Sequence, residues 1–344
     1  MQTSTSAPEV QGPTNGTLET QFTQRGGREF FARASRSQLL PIFVALLLVV
    51  VVMSVLSDRF LNVTNLTNVL AQSAVVGVAA VGGTFVIITA GIDLSVGSAV
   101  ALSGILGGLT MQATGDGFLG MIVIVVAATL IGAFNGFSIA YLNLTPFIVT
   151  LATLGMAAGL TLQLSNGQTI FGLPDTFNYL GSARIAGIPV AAFVTVFVFI
   201  IGHIILTRTT FGHRVFAIGG NREAARLAGI RDRRTLFYVY TFAGLCAGLA
   251  GILLAGRLSA TTPIAAQGLE LQVIAAVVIG GTSLFGGKGS LLGTLIGVLL
   301  IGFIGNGLTL LNVGVFWVQF VQAALIFVAV LLDSINNRRL ARAR

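Results

Sequence analysis

From Leu39 onward the chain alternates apolar runs of about 15 to 25 residues with short polar breaks. That spacing suits helices that cross a bilayer, not the alternating ten-residue segments of a membrane barrel. The runs fall at 39–57, 70–90, 94–113, 118–142, 146–164, 189–207, 235–256, 271–285, 290–311 and 315–332. They predict an all-α, polytopic membrane bundle of about ten helices, the eighth short enough to be re-entrant. Residues 1–38, rich in Thr, Ser, Gln, Gly and Arg and without apolar periodicity, predict a flexible tail ahead of a membrane domain at 39–335. Residues 336–344 predict a short basic tail after it. The first apolar run starts too late for a cleaved signal peptide and reads as a retained first span.

Composition agrees with the pattern. Of 344 residues, 55% are hydrophobic and 9% charged, against roughly 25% charged in an ordinary soluble domain. The 44 glycines include five GxxxG spacings, Gly104/Gly108, Gly132/Gly136, Gly155/Gly159, Gly244/Gly248 and Gly293/Gly297, which let helix backbones approach one another in lipid.

Charge orients the bundle, because Lys and Arg near span ends stay in the cytoplasm. Four arginines stand in the N-terminal tail (25, 28, 33, 36), four in the C-terminal tail (338, 339, 342, 344) and seven in the loop 208–234, and Lys288 lies in a later turn. Ten spans place all sixteen on one face, with both termini cytoplasmic. The remaining three, Arg59, Arg184 and Arg257, fall in outward loops that each also hold an acid. The net charge of +8 therefore reports topology and contact with anionic lipid, not nucleic-acid binding.

Self-contained catalytic chemistry is not legible. Cys246 stands alone in an apolar run, and His203 and His213 have no partnering cluster, so no metal site is expected. "GTSLFGGKG" (281–289) fails as a phosphate loop twice: Thr282 stands where the first Gly belongs, and Gly289 replaces the hydroxyl residue. Lys288 reads as a positive-inside anchor. Polar residues within spans are few and mostly uncharged, among them Asn135, Gln163, Asn306 and Gln319. They can bond helix to helix or line a path for a neutral solute. The scarcity of intramembrane acids and bases argues against ion coupling.

The stretch "VIITAGIDLSVGSAVAL" (86–102) sets one carboxylate, Asp93, between two long apolar runs. The ten-span topology puts it at a cytoplasmic turn. There Gly91 allows the bend and Asp93 caps a helix starting at Leu94 through the N–H of Ser95 or Val96. Direct substrate contact and a proton relay are the alternatives. A faint echo sets "AGIDLSVGS" (90–98) beside "GGTSLFGGKGS" (280–290), although the spacing to the next shared motif differs, so a simple duplication does not fit.

The loop 208–234 carries the most informative polar stretch. Arg222 to Ala228 is rich in helix formers, with Asn221 an N-cap, Glu223 in the first turn and Gly229 a stop. It predicts a short capped helix for docking on a basic membrane face. "GNREAARLAGI" (220–230) resembles the Glu-Ala-Ala-x3-Gly coupling loop of ABC importer permeases. "TAGIDLSVGSAVAL" (89–102), "NLTPFIVTLATLGMAAGL" (143–160) and "AVVIGGTSLFGGKGSLLGTLIGVLL" (276–300) are similar to signature stretches of the ribose-type sugar permeases in that superfamily. The chain departs from the broader importer loop in having Ile230-Arg231-Asp232 where Leu-Pro follows Gly.

The resemblance covers about 40–335. It implies a permease subunit of a bacterial inner-membrane importer for a monosaccharide or polyol, working by alternating access. Its partners would be a second copy of the chain, a cytoplasmic ABC ATPase that uses ATP and Mg, and an extracytoplasmic sugar-binding protein, with no cofactor in this chain. It assigns ATPase coupling to Arg222, Glu223, Ala224, Ala225, Arg226 and Gly229. Asn135, Gln163, Asn306, Gln319 and Phe147 become path candidates, and Asp93, Ser95, Gly97, Gly281, Gly287 and Lys288 belong to its structural motifs. A permease for branched-chain amino acids or for a sugar-derived signal shares the architecture; a proton-coupled transporter using Asp93 is the rival from another class.

Overall fold

The computed structural model describes residues 39–342; the tail expected at 1–38 lies outside the described residues. Thirteen helices dominate: α1 (Leu39–Leu56), α2 (Val63–Ile88), α3 (Val96–Thr114), α4 (Gly117–Ala140), α5 (Pro146–Ser165), α6 (Asp175–Ser182), α7 (Val190–Arg208), α8 (Thr210–Gly220), α9 (Arg222–Leu227), α10 (Asp232–Leu258), α11 (Leu269–Ile279), α12 (Leu291–Leu310) and α13 (Val315–Arg342). Of the basic tail expected at 336–344, residues 336–342 continue α13 as helix, and 343–344 lie outside the described residues. The all-α expectation needs one addition. Two small antiparallel pairs join β1 (Ile170–Phe171) to β4 (Ala260–Thr261) and β2 (Arg184–Ile185) to β3 (Ile188–Pro189). The second is a tight hairpin turning through Ala186 and Gly187, both at positive φ.

Among the described residues, eight helices are long and apolar enough to span a membrane. The other two expected spans are represented by α11, at 11 residues, and by the apolar stretch Phe316–Val328 of α13. At 1.5 Å per residue α11 is about 16 Å long, roughly half the hydrocarbon thickness. The helix forms only over 269–279 because Gly268, at φ 81°, starts it and Gly280 and Gly281 end it.

α2 is apolar on every side, and all of its residues from Ser73 to Ile88 are buried, which makes it the central helix. Phe85 anchors it, edge-on to Phe242 of α10 at 5.0 Å and stacked on Phe211 of α8 at 6.2 Å. α1 buries only Leu46 and presents its other faces outward.

Two of the GxxxG spacings meet each other. A Cβ on Gly132 would stand 2.8 Å from the Cα of Gly244, one on Gly136 would stand 2.7 Å from the Phe237 carbonyl, and one on Gly248 would stand 2.8 Å from the Cα of Val125. α4 and α10 therefore touch backbone to backbone, as small residues permit. Gly104 and Gly108 receive Thr261 of β4 instead of a helix, and Gly293 and Gly297 receive the end of α11. Gly155 and Gly159 face open space.

Two of the breaks in the helical pattern shape the interior. After α2 the chain turns through Ala90, at φ 59°, and runs without helix to Ser95 before α3 begins. After α10 it folds back along α3, from Thr261 beside Gly108 to Glu270 beside Gly97. That descent covers about 16 Å of α3 at its helical rise, so α11 begins inside the bundle.

This packing makes a testable distinction. Gly132→Val should destabilise the purified chain in detergent by at least the roughly 1–3 kcal/mol of a typical overpacking, read as a lowered melting temperature. Gly155→Val, which meets nothing, should leave it unchanged in the same scanning measurement.

Candidate functional site

Three regions concentrate polar side chains. The first is the basic loop. Asn221, in extended backbone at φ −161°, ends α8 and starts α9, its side chain accepting from the Ala224 N–H at 2.9 Å. α9 closes in a Schellman motif: the Gly229 N–H donates to the Arg226 carbonyl at 2.9 Å and the Ile230 N–H to the Ala225 carbonyl at 3.0 Å. Gly229 at φ 80° is what the motif demands. Ala225 is buried with Ile218, Leu236 and Ala140, so α9 rests on α8, α10 and α4.

Charge completes the seat. The Arg222 Nε donates to Asp232 at 2.8 Å, and Arg226 lies 3.8 Å from the same carboxylate and 3.6 Å from Glu223. Asp232 is buried, and its partner Arg222 is half-exposed; a carboxylate withdrawn from water needs such donors. Glu223, Ala224, Leu227 and Ala228 are left facing out, and Leu227 is 85% exposed. Sequence reasoning did not single out Leu227 or Asp232. A Leu four residues after Glu223, on the same face of a helix that buries Ala225, was the available signal.

The second region surrounds Asp93. This residue is buried rather than at an open turn, and α3 starts at Val96, not at Leu94. Asp93 accepts the Ser95 N–H at 2.9 Å and the Ser95 hydroxyl at 2.6 Å, an Asx turn ahead of the helix instead of a cap on it. The Asn135 amide of α4 donates to Ser95 Oγ at 2.8 Å, and Thr153 of α5 donates to the Asn135 carbonyl oxygen at 2.6 Å. Thr150 donates to the Ile92 carbonyl at 3.3 Å. Asn135 thus engages both its amide nitrogen and its carbonyl oxygen, in a chain of donors that ends on the carboxylate. Gly91 leaves room for Tyr240, whose hydroxyl would stand 2.5 Å from a Cβ at 91; the left-handed turn itself falls to Ala90.

The third region is a cavity of about 160 Å³ above the start of α11. Gln72 of α2, Arg257 at the end of α10, Gln267 and Gln272 converge on it, over apolar walls that include Val75 and Leu254. Amide and guanidinium groups on an apolar wall form hydrogen bonds with a polar solute without demanding that it be charged. Gly97 lies directly behind its wall, since a Cβ there would stand 2.5 Å from the carbonyl oxygen of Ala266, a lining residue. Of the four polar residues only Gln72 stood out in the sequence as polar within a span; the other three become neighbours only through the fold-back after α10.

The remaining path candidates lie elsewhere. Asn306 forms a reciprocal amide pair with Asn65, 2.9 Å each way, tying α12 to α2. Gln163, Gln319 and Phe147 are exposed on outer faces of their helices. Gly281 and Gly287 hold positive φ in the loop between α11 and α12, and Lys288 is exposed there.

A family model described as "Branched-chain amino acid transport system / permease component" matches residues 65–330. The chain is 43% identical over 298 residues to the ribose import permease protein RbsC of Bacillus subtilis (strain 168), covering 86% of this chain and 92% of that protein. It is 38% identical over 297 residues to the D-allose transport system permease protein AlsC of Escherichia coli (strain K12), covering 86% and 91%. To the xylose transport system permease protein XylH of the same strain it is 32% identical over 375 residues, covering 88% and 94%. No solved structure gives a significant match. With the family match running from the first turn of α2 to within α13, and identity sustained over nearly the full length of these relatives, the chain belongs to this family of membrane permease components.

Proposed function

We propose that the chain is the transmembrane subunit of a bacterial inner-membrane ABC importer for a monosaccharide. Two copies form the path, a cytoplasmic ATPase using ATP and Mg drives it, and an extracytoplasmic binding protein delivers the sugar. The observation that carries this reading is α9: a six-residue helix capped at both ends, clamped by Arg222 to Asp232, that leaves Glu223 and Leu227 outward. A rigid small knob on the basic end is what a soluble ATPase needs in order to push. The basic end then faces the cytoplasm, both termini included, and the cavity between Gln72, Arg257, Gln267 and Gln272 opens to the other side.

A sugar is favoured because the relatives are named for ribose, allose and xylose. The cavity suits the same class, offering amides and one guanidinium but no carboxylate among its lining residues. The family description keeps a branched-chain amino acid as a second reading, and Arg257 would then hold the carboxylate. Nucleotide-driven closure of the ATPases would move α9 and tip the bundle between outward and inward states, a two-state equilibrium biased by a ligand bound elsewhere. Asp93, engaged by Ser95, fits a structural role better than a proton relay.

Leu227→Asp should weaken association with the ATPase by about tenfold or more, since an exposed Leu buried at an interface is worth roughly 1.5–3 kcal/mol; pull-down titration measures it. Arg257→Ala and Gln272→Ala should each lower the uptake rate about two- to tenfold, the worth of one lost hydrogen bond, with ATPase association unchanged. In proteoliposomes, concentrative uptake should require the ATPase and ATP, and an imposed pH gradient alone should drive none. Thermal-shift assay of the cognate binding protein against sugars and branched-chain amino acids separates the two substrate readings.

A further inference from the structure

The two stretches that echo each other in the sequence touch in the structure, and the end of α8 closes over both. The Gly287 N–H donates to the Ile88 carbonyl at 2.9 Å, joining the loop after α11 to the last turn of α2. A Cβ at Gly286 would lie 2.8 Å from the Gly219 carbonyl oxygen and 2.9 Å from the Ala90 Cβ. A Cβ at Gly287 would lie 2.7 Å from the Cα of Gly220, and one at Gly219 would overlap the Ile88 carbonyl. Three separate segments thus meet backbone to backbone. Two glycines in succession weaken the end of α8 by roughly 1 kcal/mol each relative to Ala, and only close approach explains Gly219.

Both sides of this junction lead to something. On one side Gly219 and Gly220 end α8, and Asn221 passes directly into α9. On the other, Ile88 and Ala90 open the non-helical stretch to Ser95, where Thr150 holds Ile92 and Asn135 holds Ser95. Two residues on, Gly97 touches Glu270 in the first turn of α11, next to the cavity. Ala90 keeps a left-handed backbone that a residue with a Cβ rarely adopts, against Gly286.

We propose that Gly219 is a positioning residue for transport: through its contact with Ile88 and Gly287 it passes displacement of α9 to the 89–95 segment and so to the floor of the cavity. This role presupposes the permease function proposed above. A contiguous line of contacts becomes a coupling route only when perturbing it changes the coupling, and the adjacent glycine supplies the control. A Cβ at Gly220 meets nothing, while both positions gain equally in helix propensity.

The test uses the permease reconstituted with its ATPase and binding protein, comparing wild type, Gly219→Ala and Gly220→Ala for ATPase association, ATP hydrolysis and uptake of radiolabelled D-ribose, D-allose and D-xylose. Gly219→Ala should bind the ATPase and hydrolyse ATP but import about fivefold less sugar per ATP or lower, while Gly220→Ala matches wild type. Equal coupling in all three, or equal loss in both variants, overturns the proposal. Should Gly219→Ala fail to assemble, hydrogen exchange on the wild-type complex decides. A non-hydrolysable ATP analogue should change exchange in 86–95 and 281–290 together, and unchanged exchange in both segments overturns the proposal. A wild-type complex that hydrolyses ATP yet imports none of the three sugars overturns the sugar-permease reading instead.

Discussion

A backbone polar group inside a bilayer must find its partner within the protein, because lipid offers none. This constraint governs two of the places where the chain abandons helix, 89–95 and 259–268. The first is closed by Asp93, Ser95, Asn135, Thr150 and Thr153, which satisfy one another and the Ile92 carbonyl. The second is held by the β1–β4 pairing and by turns through Thr262, Ile264 and Ala266 whose carbonyls accept from residues three further on. Each break ends at a helix that starts inside the bundle, α3 or α11, and the two starts face each other at Gly97 and Glu270.

Close packing makes those breaks tolerable. Gly132, Gly136, Gly244 and Gly248 bring α4 and α10 into backbone contact, and with lipid as apolar as any side chain, such contact must do what hydrophobic burial does in a soluble core. The α4–α10 pair carries α9 at one end through Ala140, Leu236 and the Asp232 carboxylate. α9 therefore has a firm seat on that side, while the end of α8 that leads into it forms a glycine junction with Ile88, Ala90 and the 281–290 loop.

Polar residues within the apolar helices divide by what they touch, which sequence position does not disclose. Asn135 and Asn306 both lie in apolar helices and both look free to contact a solute, yet one completes the Asp93 network and the other pairs with Asn65. Gln163 and Gln319, equally plausible by composition, face away from the interior. The polar groups that share a cavity are Gln72, Arg257, Gln267 and Gln272, drawn from three segments that meet only after the chain folds back on itself.

The sequence by itself determined the helical membrane architecture, the positions of nearly all spans, the capped helix at 222–227 with its Gly229 stop, and the glycine spacings that permit close helix approach, though not that Gly132/Gly136 would meet Gly244/Gly248. These follow from local periodicity, from capping chemistry and from small-residue spacing, which act over a few turns. Only the tertiary structure decided that Asp93 is buried and engaged, that the eighth apolar run is a half-length helix starting inside the bundle, and which glutamines surround the cavity. Those outcomes depend on the fold-back after Leu258, where the chain runs down α3 in place of crossing as a helix. Hydrophobicity is the same for a segment that spans and one that turns back, so the choice is made by the neighbours that satisfy its backbone.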